Sequence, residues 1–178
     1  MGRINYEIDK SESSIQWMGK KINGTHNGTI NISGGVLTTD NGELAAGEFV
    51  ADTRSIKILD IADHDTNEQF AGHLASEDFF ASKMYPTATL VTSKVSRHVG
   101  LNYHIIADLT IRGITQPIEF DAEVSHIIGH TLKASARLVI DRTKYNMKFR
   151  SGHFFEDLGD ALIYDNFTLN VHLTARTS

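Results

Sequence analysis

Cysteine is absent from this chain of 178 residues. Disulfide bonds, thiolate nucleophiles, cysteine-ligated zinc and iron–sulfur clusters are therefore excluded together. The lack of cysteine leaves the cellular compartment open, because a chain of this length buries enough surface to fold without disulfides in any compartment.

Long apolar runs and excess positive charge are also missing. No apolar stretch approaches the roughly 20 residues that a membrane-spanning helix needs. The 17 Lys and Arg against 22 Asp and Glu give a net charge of −5, which argues against nucleic acid or an anionic membrane as a partner. A hydrophobic content of 40% excludes disorder. The length predicts a single domain over residues 1–178.

The first residues lack a secretory signal of the usual type, because residues 1–6 contain no apolar stretch. We therefore expect a cytoplasmic location, or a periplasmic one if a signal peptide has been removed.

Apolar and polar residues alternate with a period of two along most of the chain. This pattern predicts antiparallel strands with one dry and one wet face. It is clearest over residues 101–112, 118–124, 132–141 and 167–175, and less regular over residues 4–9, 14–22, 28–38 and 43–58. The pair Gly34-Gly35 predicts a bulge or a sharp bend, and Ile128-Gly129-His130 predicts a turn.

One segment breaks this period. Residues 63–74 are expected to form a helix, with Thr66 and Gln69 as a capping box and with Phe70 and Leu74 on one face. A further short helical turn is expected over residues 76–80, and Pro86 favours a new strand near residue 87.

Many antiparallel strands with one mid-chain helix indicate an all-β barrel or sandwich. A closed barrel has the advantage that no strand edge stays exposed. The predicted inward faces mix large residues with Ala107, Ala122, Ala134, Ala136 and Ala175. In a barrel of about eight strands, such a lumen is either filled by side chains or holds one apolar ligand.

Patterns of catalysis and metal binding are weak. The nine histidines form no His-Glu-x-x-His motif, and Gly-x-Ser-x-Gly, phosphate-loop and dinucleotide motifs are missing. An acidic cluster at the start of the predicted helix has a structural explanation in helix capping and the helix dipole; its members are Asp60, Asp63, His64, Asp65 and Glu68. We predict no catalytic residue, metal or cofactor.

The order of several short motifs resembles that of the YceI family of polyisoprenoid-binding, lipocalin-like proteins. The motifs are collinear and span nearly the whole chain: Trp17-x-x-Lys20, Gly24-x-His26-x-Gly28, Gly34-Gly35-x-Leu37, Ser55-Ile56, His73-Leu74-x-Ser76-x-Asp78-Phe79-Phe80, Tyr85-Pro86-x-Ala88, Leu109-Thr110-Ile111-Arg112-Gly113-Ile114-Thr115-x-Pro117 and Ile140-Asp141-Arg142-Thr143-x-Tyr145-Asn146-Met147.

The resemblance implies an eight-stranded antiparallel lipocalin-like β-barrel with one helix packed by it. It further implies a lumen that binds a polyisoprenoid or other long-chain lipid, for carriage, storage or stress protection. Many members of this family are exported to the periplasm.

We expect the ligand to contact residues on the dry strand faces and on the helix face that would close the barrel: Trp17, Phe49, Phe70, Leu74, Phe79, Ile105, Leu109, Leu132, Leu138, Phe167 and Leu169. Lys20, His26 and Arg142 are weaker candidates for contacts with a polar head group at the mouth.

Two other functions stay open. The first is a hydrolase or isomerase that uses a His/Asp pair at the barrel mouth. The second is a filled barrel that acts only through protein partners. Ile106 and Val139 are apolar residues expected on the outer face, and such residues are compatible with a homodimer.

Overall fold

The computed structural model describes residues 2–22, 24–127, 130–152 and 163–177. Within these residues there are one α-helix, α1 (His64–Leu74), and nine strands: β1 (Arg3–Ile8), β2 (Ser14–Lys21), β3 (Gly24–Asp40), β4 (Glu43–Ile58), β5 (Thr87–Arg97), β6 (Asn102–Ile111), β7 (Ile114–Ile127), β8 (Thr131–Asp141) and β9 (Asn166–Arg176). Two short 3-10 turns cover Lys10–Glu12 and Arg142–Tyr145.

The strands close into an antiparallel barrel. Their order is β1-β3-β2-β9-β8-β7-β6-β5-β4, and the pairing of β3 with β4 closes the circle. Both β1 and β2 lie between β3 and β9, β1 against one half of β3 and β2 against the other. They therefore act as one wall strand that the first 3-10 turn interrupts, and the barrel has eight strand positions.

The predicted strands are all present, and residues 43–58 match β4 at both ends. β3 and β7 are longer than predicted, because pairing with neighbouring strands extends them into ends where the alternation is weak. The predicted bulge is confirmed, since the register of β3 against β4 shifts between Ile32 and Gly34. The predicted turn Ile128-Gly129-His130 lies partly outside the described residues, which omit the first two.

The helix is confirmed, but its predicted cap is wrong. Asp63 is the N-cap, and its carboxylate accepts hydrogen bonds from the Thr66 backbone N–H at 2.9 Å and from the Thr66 hydroxyl at 2.6 Å. An ionised carboxylate can only accept hydrogen bonds, so Asp63 is the cap and Thr66 donates to it. These hydrogen bonds, first from the hydroxyl and then from the backbone N–H, hold the pKa of Asp63 below its usual range.

Residues 76–80 form a hydrogen-bonded turn, where the sequence pattern predicted a helical turn. The Ser76 hydroxyl donates to the carbonyl of His73 and so caps the end of α1. The chain then folds back, because the Phe80 backbone N–H donates to the carbonyl of Leu74. This turn brings Phe79 into the hydrophobic core.

The dry face predicted for β6 is confirmed at Tyr103, Ile105, Ala107, Leu109 and Ile111, which are all buried. The first residue of the predicted segment, Leu101, is 49% exposed because it lies in the turn before the strand.

Candidate functional site: an apolar lumen with a basic rim

A cavity of about 390 Å³ occupies one end of the barrel, between the strand walls and α1. This volume lies in the range of small-molecule sites. A lumen with no cavity beyond the size of a water molecule is thus contradicted, and with it the filled-barrel hypothesis.

The structure places nine of the eleven predicted residues on the wall of this cavity: Trp17, Phe49, Phe70, Leu74, Phe79, Leu109, Leu138, Phe167 and Leu169. They come from β2, β4, β6, β8 and β9, and from α1 and the turn that follows it. The partial exposure of Trp17, Phe49, Phe167 and Leu169 fits this position, because these inward side chains face open space in the lumen.

The other two predicted residues lie deeper. Ile105 borders a second, smaller cavity further along the barrel. Leu132 has 0% exposure, belongs to the hydrophobic core and borders neither cavity. Alternation places both on the inward face, but it carries no information on depth along the axis.

Helix α1 covers part of the mouth with two apolar side chains, Phe70 and Leu74, which border the cavity. No residue of α1 is buried. The Phe70 ring contacts the ring of His26 on β3, with a centroid distance of 4.8 Å. The Asn67 side chain also donates to the carbonyls of Ile58 and Ile61, so contacts with both β3 and the end of β4 hold the helix over the barrel.

The rim of the cavity is basic. Lys20, Lys21, Arg142 and Arg150 border it, and the described lining residues include no Asp or Glu. Lys20, Lys21 and Arg150 are exposed. Three exposed cationic side chains therefore lie at the described part of the mouth, on a chain whose net charge is −5.

Arg142 is the buried member of this group, with 3% exposure. Its three guanidinium nitrogens donate to the backbone carbonyls of Tyr164, Met147 and Ile163 at 3.0, 2.6 and 3.1 Å. The guanidinium also lies 5.7 Å from the Phe79 ring centroid. Burial lowers the pKa of Arg142, and the nearby carboxylates of Asp165 and Asp141 oppose that shift. These contacts hold a cation against an apolar wall.

Two His/Asp pairs lie beside the cavity. His26 Nδ1 lies 2.9 Å from Asp60 Oδ2, and His73 Nε2 lies 2.9 Å from Asp78 Oδ2. Both imidazoles border the cavity. Burial opposes ionisation of Asp60, but hydrogen bonds from the Asn27 backbone N–H and from His26 hold its pKa below the usual range.

The sequence pattern of the acidic cluster pointed to helix capping, and Asp63 and Asp60 have structural partners as described above. His64 and Glu68 lie 3.2 Å apart on the exposed side of α1. Across the described residues, no group of three or more His, Asp or Glu side chains is placed to hold a metal ion. The described part of the chain also has no helix of the length and apolarity that crossing a membrane requires.

A closed antiparallel barrel with an apolar internal cavity defines the class of small lipocalin-like barrels, whose lumen has room for one ligand. Comparison with known proteins identifies the family within this class. The model of the YceI-like domain family matches residues 6–175, and the chain belongs to this family.

Curated relatives match over parts of the chain. A UPF0312 protein of Photorhabdus laumondii is 36% identical over 67 residues, which cover 37% of this chain and 34% of the relative. A UPF0312 protein of Staphylococcus aureus is 33% identical over 89 residues, which cover 47% of this chain and 49% of the relative. The chain thus spans a third to a half of the length of these relatives.

Solved structures with the same fold cover most of the chain. BcnA of Burkholderia cenocepacia superposes with a TM-score of 0.74 at 23% identity, over 94% of this chain and 99% of BcnA. A polyisoprenoid binding domain from Saccharophagus degradans superposes with a TM-score of 0.71 at 14% identity, over 97% of this chain and 98% of that domain. At these identities the likeness establishes the fold.

Proposed function

We propose that this protein binds a long-chain lipid, such as a polyisoprenoid, in the barrel lumen and releases it unchanged. The observation that carries the proposal is the open apolar cavity of about 390 Å³, bordered by nine residues that alternation and helix periodicity had placed inward. The similarity to a polyisoprenoid binding domain of Saccharophagus degradans supports the same ligand class. Carriage, storage and protection from stress are the roles that fit such binding.

The affinity would come mainly from burial of the chain. Each buried CH₂ group contributes about 0.8 kcal/mol, and a preformed cavity keeps the ordering cost low. The wall offers few hydrogen-bonding partners, which favours a hydrocarbon over a polar ligand of the same size. Strands from both ends of the chain enclose the lumen, which supports one lipid-binding domain over residues 1–178.

The basic rim suggests the orientation of the ligand. Lys20, Lys21 and Arg150 would lie near the head group, and the chain would run inward past Phe167 and Leu109. A head group that accepts hydrogen bonds or carries negative charge suits this rim.

The test is native mass spectrometry of the purified protein, together with titration of long isoprenoids. Leu109→Arg puts a charge in the lumen and is expected to abolish binding. Leu101→Arg is the matched control, because Leu101 is 49% exposed and lies outside the cavity. Absence of any bound or titrated lipid in the wild type contradicts the proposal. Unchanged binding in a folded Leu109→Arg variant contradicts the assignment of that residue.

A hydrolase or isomerase at the mouth is the second candidate, and the His26–Asp60 pair at 2.9 Å favours it. Asp60 contacts Nδ1, which leaves Nε2 of the same imidazole for proton transfer. The check is turnover of long-chain esters by the wild type and by His26→Gln. Activity that disappears in His26→Gln supports catalysis, and absence of activity in the wild type rules out this candidate for those substrates.

A further inference from the structure

The lumen is divided into two cavities along the barrel axis. Beyond the main cavity lies a second one of about 50 Å³ with a mostly apolar wall. The two cavities share three wall residues: Phe49, Leu90 and Leu138. These three side chains therefore stand between the two cavities, and we call them the internal wall.

The strand order explains why these residues meet. Phe49 on β4 and Leu90 on β5 are register partners on one side of the barrel. β8, which carries Leu138, lies four strand positions from β4 among eight, and so faces it across the lumen. Leu90 and Leu138 are 4% and 3% exposed. Side chains from opposite sides of the barrel thus meet between the main cavity and the second, deep cavity.

Small residues leave the space beyond the internal wall open. Gly47, Ala122, Ala134 and Ala136 border the deep cavity. Ala122 and Ala136 are register partners on β7 and β8. A Leu or Phe at these positions would fill the space, so the deep cavity depends on this cluster of small side chains.

We infer that the internal wall sets the maximum length of the apolar chain that the lumen accepts, with Phe49 as the main barrier. This inference rests on the proposed lipid binding and adds a specificity-determining element to it. A chain that enters at the basic rim ends against Phe49, Leu90 and Leu138. Longer chains leave terminal carbons in water and gain no further affinity.

The test is a length series of linear isoprenoid alcohols, which are measured by displacement of a fluorescent fatty-acid probe from the wild type and from Phe49→Ala. In Phe49→Ala the two cavities join. We expect affinity for alcohols one isoprene unit longer than the wild-type optimum to rise by about tenfold or more, because several more CH₂ groups are buried. Phe49→Leu, a milder change, is expected to shift the optimum in the same direction by less.

Phe167→Ala is the matched control, because Phe167 borders only the main cavity. It enlarges that cavity without opening the passage, so the preferred chain length is expected to stay the same. Ala136→Leu fills the deep cavity. It is expected to leave the wild-type optimum unchanged and to reverse the gain when combined with Phe49→Ala.

The outcomes separate the two proposals. A wild type that binds no alcohol of any length overturns the proposed function. A wild type that binds, with the same length optimum in folded Phe49→Leu and Phe49→Ala, overturns the role of the internal wall alone. A longer optimum in Phe49→Ala that Ala136→Leu does not reverse also overturns it, because the added length then lies elsewhere.

Discussion

His104 on β6 lies on the outer surface between two carboxylates. Its Nδ1 is 2.9 Å from Asp121 Oδ1 and its Nε2 is 3.1 Å from Glu119 Oε2. These hydrogen bonds, with Asp121 first, raise the pKa of the imidazole. A histidine whose pKa is raised on folding stabilises the fold below the unfolded pKa of about 6.5, and loses that effect as the pH rises through the folded pKa.

We therefore expect His104→Gln to lower the thermal midpoint in mildly acidic buffer and to leave it nearly unchanged in alkaline buffer. The measurement is thermal unfolding across a pH series. His172→Gln is the control, since His172 is exposed on β9 and has no carboxylate partner among the described ion pairs. An equal loss at acidic and alkaline pH would contradict the assigned charge effect.

Two buried tyrosines differ in how their hydroxyl groups are used. The Tyr145 hydroxyl has no hydrogen-bond partner in the described structure, although the residue is only 1% exposed. Burial, followed by the charge of Asp141, raises its pKa to about 12. By contrast, the Tyr103 hydroxyl accepts a hydrogen bond from the Leu44 backbone N–H at 3.2 Å.

Tyr145→Phe is therefore expected to be neutral or to stabilise the protein, because it removes a buried polar group that lacks a partner. Tyr103→Phe is expected to cost about 1 kcal/mol, because it leaves the Leu44 N–H without its acceptor. Urea unfolding of both variants gives the comparison. A larger loss from Tyr145→Phe than from Tyr103→Phe would show that the Tyr145 hydroxyl does have a partner.

At the level of the strands, Gly28 lies where β3 closely approaches its two neighbours. A Cβ atom there would lie 1.7 Å from the carbonyl oxygen of Lys57 on β4 and 2.7 Å from the Trp17 ring on β2. Backbone atoms cannot move away without breaking the pairing that closes the barrel. Position 28 therefore has no room for a side chain between β2 and β4.

We expect Gly28→Ala to destabilise the protein by about 1–3 kcal/mol, as overpacking does. Gly24→Ala on the same strand is the control, because a Cβ there meets no atom within 4 Å. Denaturant unfolding measures both. Equal stability of the two variants would contradict the expected clash of a side chain at position 28.

Sequence periodicity predicted the strands and their inward faces because it reports which side of a strand is dry. It does not report depth. Leu132 and Leu138 share one face of β8, yet Leu132 is fully enclosed and Leu138 stands between two cavities. Periodicity also could not separate a barrel from a sandwich. That distinction depends on the pairing of β1 and β2 with β9, strands from opposite ends of the chain.

The mouth was only partly predictable for a similar reason. Lys20, His26 and Arg142 were weak candidates, and all three border the cavity. Lys21 and Arg150 were missed, although the polar end of β2 at Lys20-Lys21 was a usable signal. Lys21 and Arg150 lie close together because Ile163 pairs with Lys21 and donates its backbone N–H to the carbonyl of Arg150. No local sequence pattern encodes these tertiary contacts.

At the scale of the whole molecule, charge is distributed unevenly. The chain carries a net charge of −5, while the rim of the main cavity is bordered by basic residues. The exposed cations at the rim attract an anionic group to the mouth, over a range set by the ionic strength. The arrangement favours an amphiphile whose anionic head stays at the rim while its chain is buried.

We therefore expect a long-chain fatty acid to bind more tightly than the alcohol of the same chain length at neutral pH. Replacing both Lys20 and Lys21 by Gln is expected to reduce this preference by about two- to tenfold, since each exposed ion pair contributes at most about 1 kcal/mol. Lys133→Gln is the control, because β8 places Lys133 at the opposite end of the barrel from the rim. Competitive displacement at low and high salt measures the preference, which should shrink as salt screens the rim. A preference that is independent of both the lysines and the salt concentration would place the recognition of the head group elsewhere, with buried Arg142 as the next residue to examine.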